Sequence, residues 1–386
     1  MPGVIRLDRI TLREIRLELL EPFRTSAGTV TERRILLLTL ADGDGTETWS
    51  ECVAEALPTY SPDTVDSSWL ALTQWILPAV LGQSFAAPDA VQPALERRIR
   101  GHRMACAAVE MGAWSLDATR RGIALAALLN GARSASPRAC VDAGIAIGMQ
   151  ESVETLVEKC VAAAREGYRR IKIKVGPGRD VEWVVAVRGA VDQATALSVD
   201  ANCSYSLDDP AHVRALLALD HLGLALIEQP LAHDDFVRHA ELQRRLTTPL
   251  CLDESLSGES SVETMLALGS ARIANVKPGR VGGFRAALTI HDRCTSAGVP
   301  VLCGGMLECG IGRAYNVALA SLPNFSVPGD LSPSARYWAR DVVTPPWTMD
   351  PEGRLRVPLA RPGLGVDVDM DLIEDLTVRR ESFQAS

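Results

Sequence analysis

The chain of 386 residues has no C-x-x-C pair, and its nine cysteines (Cys52, Cys106, Cys140, Cys160, Cys203, Cys251, Cys294, Cys303 and Cys309) are odd in number. That speaks against a disulfide framework or a structural zinc site and for reduced thiols in the cytoplasm. The six histidines form no metal motif, and the stretch from His233 to His239 reads as a polar helix or loop. No run of about 18 apolar residues occurs, so no membrane span is expected. Arg6, Asp8 and Arg9 stand where a secretory signal would need an apolar core. Basic residues are the minority, 40 against 48 acidic, for a net charge of −8. A nucleic-acid surface would need clustered Lys and Arg instead.

What is present is a stocked core, 47% hydrophobic with 23% charged residues, and a rhythm. Short apolar runs recur, each ending in charge: RRIKIKV at Lys174, ALSVDAN at Asp200 and Asn202, LALIEQP at Glu228, PLCLDES at Asp253, and ARIANVKPG at Lys277. The steps between those charges are 26, 28, 25 and 24 residues. Strands at that interval, with helical stretches between, build a parallel barrel whose strand C-termini share one mouth. The fold class expected is α/β: a (β/α)8-type, modified TIM barrel, of (β/α)7β form, with an N-terminal α+β capping domain. The cap is assigned to 1–132, with 341–386 packing back on it, and the barrel to 133–340. Residues 4–20 and 32–40 read as strands, 21–30 and 56–64 as mobile polar segments, and 65–130 as helical. VDAGIAIG reads as the first barrel strand, GVPVLCGG as the seventh and SLPNFSVPGD as the eighth region.

A single acidic residue after a strand usually caps a helix. Three at consecutive strand ends repel one another unless a cation joins them. All-oxygen ligation favours magnesium, with manganese as the alternative, over zinc. Asp200, Glu228 and Asp253 are therefore the expected metal ligands. Asn202, two residues beyond Asp200 on the same strand face, is a supporting or substrate-binding amide. Lys172 and Lys174 both face the barrel interior by the period of two, and Lys277 approaches from the opposite wall. A lysine base needs its pKa lowered, which a metal ion and a second lysine favour. The chemistry that needs this set is removal of a proton alpha to a carboxylate, with a cation stabilising the enediolate.

The set IKIKV, VDAN, IEQP, LDES and NVKPGRVGGF resembles the muconate-lactonizing-enzyme subgroup of the enolase superfamily. CGGMLECGIGRAYNVALASLPNFSVPGD with SPSARYW is closer still, and is similar to the o-succinylbenzoate synthase / N-succinylamino acid racemase family. The resemblance spans nearly the whole chain, including GHRMACAAVE of the cap. It implies Lys174 and Lys277 as the acid/base pair and Mg²⁺ on Asp200, Glu228 and Asp253. It implies that Lys172 touches the substrate carboxylate or tunes Lys174, and that Arg280 alters the competence of Lys277 as a base. Segments 21–30 and 56–64 become lids, making Phe23, Ser26 and Tyr60 specificity candidates; Gly305, Met306 and Glu308 join them at the mouth. Cys106, Ser115 and Ala146 depart from the family pattern, and Ala146 stands where a serine is expected to face substrate.

The activities implied are o-succinylbenzoate synthase (a dehydration) and N-succinylamino acid racemase, alone or together. Alternatives are a related racemase, epimerase or cycloisomerase acting on another N-acyl amino acid or carboxylate, and a barrel kept only for binding. Strand seven lacks the histidine of mandelate-racemase relatives, and Gly329-Asp330-Leu331-Ser332 lacks the Asp-x-Asp of dipeptide epimerases. The expected partners are a small-molecule carboxylate and other copies of this chain in a homo-oligomer, with no nucleic acid and no membrane.

Overall fold

The run Ile35-Leu36-Leu37-Leu38 breaks the apolar/polar alternation of a half-buried strand because both of its faces are covered. In the computed structural model, which describes residues 4–25, 28–131, 133 and 135–385, it lies in a four-stranded antiparallel sheet. That sheet contains β1 (Arg9–Thr25), β2 (Gly28–Ala41) and β3 (Glu47–Cys52). Leu36, Leu38 and Leu40 pack with cap helices, whereas Ile35 and Leu37 pack with the barrel core. The sheet is thus an inner layer between two cores, and period two decides which core each side chain joins.

Cap helix α1 (Val65–Ala71) starts at Thr64, whose hydroxyl accepts from the Ser67 N–H in a capping box. It runs on through a π turn, Leu72–Ile76. The helical pattern over 91–120 is not continuous. Val91–Glu96 and α2 (Arg103–Arg120) are separate, with Gly101 and His102 left-handed at φ 72° and 49° between them. α2 is buried from Met104 to Ala118. Like β2 it divides its side chains between the two cores: Ala108 and Leu116 to the cap, Met111 and Trp114 to the barrel.

Seven parallel strands follow in simple sequence order: β4 (Gly144–Ile147), β5 (Arg170–Lys174), β6 (Ala196–Asp200), β7 (Leu226–Glu228), β8 (Leu250–Leu252), β9 (Ile273–Val276) and β10 (Val301–Cys303). The fold is a modified (β/α) barrel with a strand-rich N-terminal cap. Its eighth region forms no strand. Gly329 bridges Ala143, and the Asp330 N–H donates to the Cys303 carbonyl at 2.9 Å, closing the gap between β10 and β4. A Cβ on Gly144 would stand against the Gly329 carbonyl. VDAGIAIG is likewise split: Cys140–Asp142 pairs antiparallel with Arg354–Arg356, and only Gly144–Ile147 joins the barrel.

Within 21–30, where a mobile polar segment is expected, the described residues continue the paired strands β1 and β2. Phe23, Arg24 and Thr25 face Val30, Thr29 and Gly28 across the pair, beyond a register shift after Glu18. Its β-branched threonines and valine suit extended pairing. Ser26, a specificity candidate, lies outside the described residues. One further strand escaped the sequence reading: Thr377–Gln384 pairs antiparallel with β1 from Ile15 to Arg9.

Candidate active site

Register places the charged residues. Lys174 on β5 is level with Asp200 on β6, and Asp200 with Glu228 on β7. Neighbouring residues in a parallel row project to the same side. Lys174, Asp200 and Glu228 therefore form one rank at the strand C-termini, and Asp253 and Lys277 continue it just past β8 and β9. All five side chains are buried or nearly so.

Each carboxylate meets a cationic side chain. Lys174 Nζ donates to Asp200 Oδ2 at 2.6 Å and to Asn202 Oδ1 at 2.7 Å. Lys172 Nζ donates to both Glu228 oxygens at 3.0 and 3.1 Å and lies 3.2 Å from Asp200 Oδ2. Lys277 Nζ donates to Asp253 Oδ2 at 2.9 Å, and Arg280 holds Asp253 Oδ1. Burial would raise Asp200, but Lys174 and Lys172 hold it well below the usual carboxylate range. Burial and the Asp200 charge push Glu228 up. Lys172 and Lys277 are both held above the ordinary lysine value. Burial opposes their charge, but Asp330, Glu228 and Asp200 outweigh it at Lys172, and Tyr60, Glu228 and Glu254 at Lys277.

Two hydrogen-bonding devices steady the rank. Asn202, left-handed at φ 42°, accepts from Lys174, donates its amide to Glu254 Oε1 at 2.8 Å and donates its N–H to Asp200 Oδ1 at 3.1 Å. Gln229 Oε1 accepts from the Asp253 N–H at 2.9 Å, and its amide donates to Ser255 Oγ at 2.7 Å. Beneath Glu228, Asn275 donates to Oε1 at 3.0 Å. Gly304 makes room there, because a Cβ would come within 2.6 Å of Lys277 Cε.

The cap reaches this mouth at two places. Tyr60 donates its hydroxyl to Asp253 Oδ1 at 3.0 Å, accepts from Arg280 Nη1 at 2.7 Å, and lays its ring 4.3 Å from Lys277 Nζ. The hairpin end that carries half-buried Phe23 docks beside β4, where Met149 N–H donates to the Arg24 carbonyl at 2.8 Å. Gly305 packs against the Asp330 carbonyl, and Met306 is buried with the cap core. Glu308 accepts from the Met306 N–H at 2.9 Å and from Asn316 at 2.7 Å, so its polar contacts run along its own turn and helix.

Among the described residues no group of carboxylate, His or Cys side chains is already gathered as a metal cage. The donor set nonetheless fits a hard divalent cation: every candidate is a carboxylate, and Glu254 Oε2 and Asn275 Oδ1 are buried at the same mouth without a hydrogen-bond partner. Lys172 and Lys174 would have to yield to it. The sequence reading missed Glu254, Asn275, Gln229, Arg170 and Asp330 as neighbours of the site. Asn275 and Arg170 could have been found by parity, two residues before Lys277 and Lys172.

Two family models match the chain: "Mandelate racemase / muconate lactonizing enzyme, N-terminal domain" over residues 9–130, and "Enolase C-terminal domain-like" over 155–372. The o-succinylbenzoate synthase of Geobacillus kaustophilus is 43% identical over 97% of this chain and 96% of its own. The N-succinylamino acid racemase of Thermus thermophilus is 43% identical over 99% and 100%. The crystal structure of an enolase-superfamily member from Listeria innocua superposes with a TM-score of 0.92, at 36% identity over 99% of this chain and 100% of that one. The chain belongs to the enolase superfamily, in the family of enzymes that includes o-succinylbenzoate synthases and N-succinylamino acid racemases.

Proposed function

We propose that this protein removes and returns a proton alpha to a carboxylate in a magnesium-dependent reaction. In this reading its substrates are N-succinylamino acids, which it racemises, and the cyclohexene-carboxylate precursor of o-succinylbenzoate, which it dehydrates. The observation that carries the reading is the placement of Lys174 and Lys277 on strands two and six, flanking the Asp200–Glu228–Asp253 rank. Relatives bearing both names are equally similar to the chain, at 43% identity, which supports both reactions in one site.

Asp200, Glu228 and Asp253 would hold the cation, with manganese as a substitute. When bound, it supplies positive charge against which the substrate carboxylate accumulates electrons as the Cα–H bond breaks. The rest is the work of this chain. Lys174 and Lys277 face the two sides of the α-carbon: one, as the neutral amine, takes the proton, and the other, as ammonium, donates one to the opposite face. Lys172 presents a fixed positive charge below the reacting carboxylate. Asn202 holds the Lys174 ammonium, while Tyr60 and Arg280 hold the Asp253 and Lys277 side. Tyr60 and the Phe23 hairpin end cover the mouth and exclude water. In the dehydration Lys174 removes the proton, the hydroxyl on the neighbouring carbon leaves as hydroxide, and Lys277 remains a cation. Nine free thiols accord with a cytoplasmic enzyme.

The test is Cα–H exchange in D₂O with each enantiomer of an N-succinylamino acid. Lys174→Ala should stop exchange from one enantiomer and Lys277→Ala from the other, and each alone should stop net racemisation. Wild-type exchange of both enantiomers by Lys277→Ala would refute the two-base arrangement.

A further inference from the structure

The segment that closes the barrel carries a buried carboxylate that the proton chemistry does not use. Asp330 Oδ2 accepts from Lys172 Nζ at 2.7 Å, and its Oδ1 accepts from Arg170 Nη2 at 2.6 Å. Arg170, fully enclosed in the barrel, also donates to the Pro328 carbonyl at 2.7 Å and to Ser198 Oγ at 2.9 Å. Asp330 is thus fixed by a fork of donors below and by its own N–H to Cys303. It cannot swing up to the mouth without stranding a buried guanidinium.

Lys172 is shared. Its ammonium meets Asp330 at 2.7 Å, Glu228 at 3.0 and 3.1 Å, and Asp200 at 3.2 Å, so its shortest contact is the one that leads away from the mouth. A divalent cation on Asp200 and Glu228 would repel that ammonium. With Asp330 present, Lys172 can give up the two mouth carboxylates and remain paired. Without Asp330, its only anionic partners among the described residues are the ligands themselves. It would then either compete for them or be left buried and uncompensated.

We propose that Asp330 is a positioning residue for the cation site: it anchors Lys172 toward the barrel floor, so that Asp200 and Glu228 are free to take the cation. The proposal rests on the cation reading given above. It differs from a role for Asp330 in barrel closure alone, because its effect must run through the charge of Lys172.

The experiment is Mn²⁺ binding to the intact, substrate-free protein, followed by electron paramagnetic resonance and calorimetry, with thermal melting alongside. Asp330→Asn should weaken Mn²⁺ binding by about 10-fold or more, the usual scale for a lost partner behind a ligand. Lys172→Met should bind at least as tightly as wild type, and Asp330→Asn/Lys172→Met should match Lys172→Met. Wild-type affinity in Asp330→Asn, or a double variant as weak as the single one, would overturn the proposal. Should Asp330→Asn fail to fold, the comparison of the double variant with Lys172→Met decides alone. With no ammonium to hold, Asp330 must have no effect, and a 10-fold gap between the two would refute the idea. Absence of Mn²⁺ binding by the wild type would overturn the cation reading, and this inference with it.

Discussion

The barrel mouth and the seam between cap and barrel both bury carboxylates, and they satisfy them by different means. At the mouth the partners are mostly side-chain cations on flexible stems, Lys172, Lys174, Lys277 and Arg280, joined by Tyr60, Asn202 and Asn275. At the seam they are mostly backbone N–H groups at helix N-termini. Glu110 of α2 accepts from Phe284 N at 2.7 Å and Arg285 N at 3.0 Å, at the start of helix α3 (Phe284–Ser296), and from Trp114 Nε1 at 2.8 Å. Glu51 of β3 accepts from Gly312 N at 2.8 Å and from Cys309 N and Sγ at 3.3 and 3.0 Å, at the start of helix α4 (Gly310–Ala320). A helix N-terminus favours negative charge and cannot move away from it. An ammonium can retreat when a stronger cation arrives. The seam is therefore built to stay, whereas the mouth, in the proposed cation reading, exchanges partners.

The largest effects should separate the two regions. Asp200→Asn, Glu228→Gln and Asp253→Asn should each lower kcat by roughly 10³-fold or more, the scale expected when the main electrostatic stabiliser is lost. EDTA should abolish turnover, with Mg²⁺ or Mn²⁺ restoring it and Zn²⁺ doing so poorly. Glu110→Gln should instead lower the melting temperature and leave Cα–H exchange measurable. Full turnover in a rigorously metal-free sample would remove the distinction, because the mouth would then be a second structural cluster.

A smaller effect is expected where cap and mouth meet. Tyr60 is a cap residue, packed on the cap core, whose polar contacts among the described residues reach mouth groups: Asp253, Arg280 and the Lys277 cation. Tyr60→Phe keeps the ring over Lys277 and loses two hydrogen bonds, which at about 1 kcal/mol each corresponds to a fall in kcat/KM of roughly 30-fold. Tyr60→Ala should also raise KM and alter the preference among N-succinylamino acids. Unchanged steady-state constants in both variants would make Tyr60 a packing residue only.

The mouth was far more legible in the sequence than the seam, for a physical reason. Asp200, Glu228, Asp253 and Lys277 follow apolar runs at one β/α interval, so spacing alone put them on neighbouring strand ends. Parity turned Lys172 inward beside Lys174. Asp330 belongs to the same cluster but lies in a closing segment without strand periodicity, and only the fold brings it under Lys172. Glu51 and Glu110 sit in strand and helix patterns that read as ordinary, and their backbone partners lie about 260 and 170 residues away, which no composition rule marks. The strands run further into 21–30 than the expected ends at 20 and 32, because Gly, Ser and Thr are common both in loops and in the paired ends of long strands.

The smallest expected effect concerns the seam alone. Burial pushes Glu110 up to about 7 and Glu51 up to about 8, although the N–H donors pull both down. Between the ordinary carboxyl value of 4.5 and those values, the folded protein binds more protons at these sites than the unfolded chain. Their contribution to stability is complete below 4.5 and is lost as pH rises through about 7 and then about 8. His239 and His291, whose pKa values burial lowers, act in the opposite direction, because the unfolded chain protonates first. The wild-type melting curve therefore mixes two slopes and is a poor test. The difference between wild type and Glu51→Gln/Glu110→Gln removes the histidine part. The stability lost on substitution should shrink steadily from pH 5 to pH 8, since the amides cannot titrate and the glutamates can. A difference that stays constant across that range would mean that both carboxylates are already ionised at pH 5, held by their helix N-termini more strongly than burial opposes them.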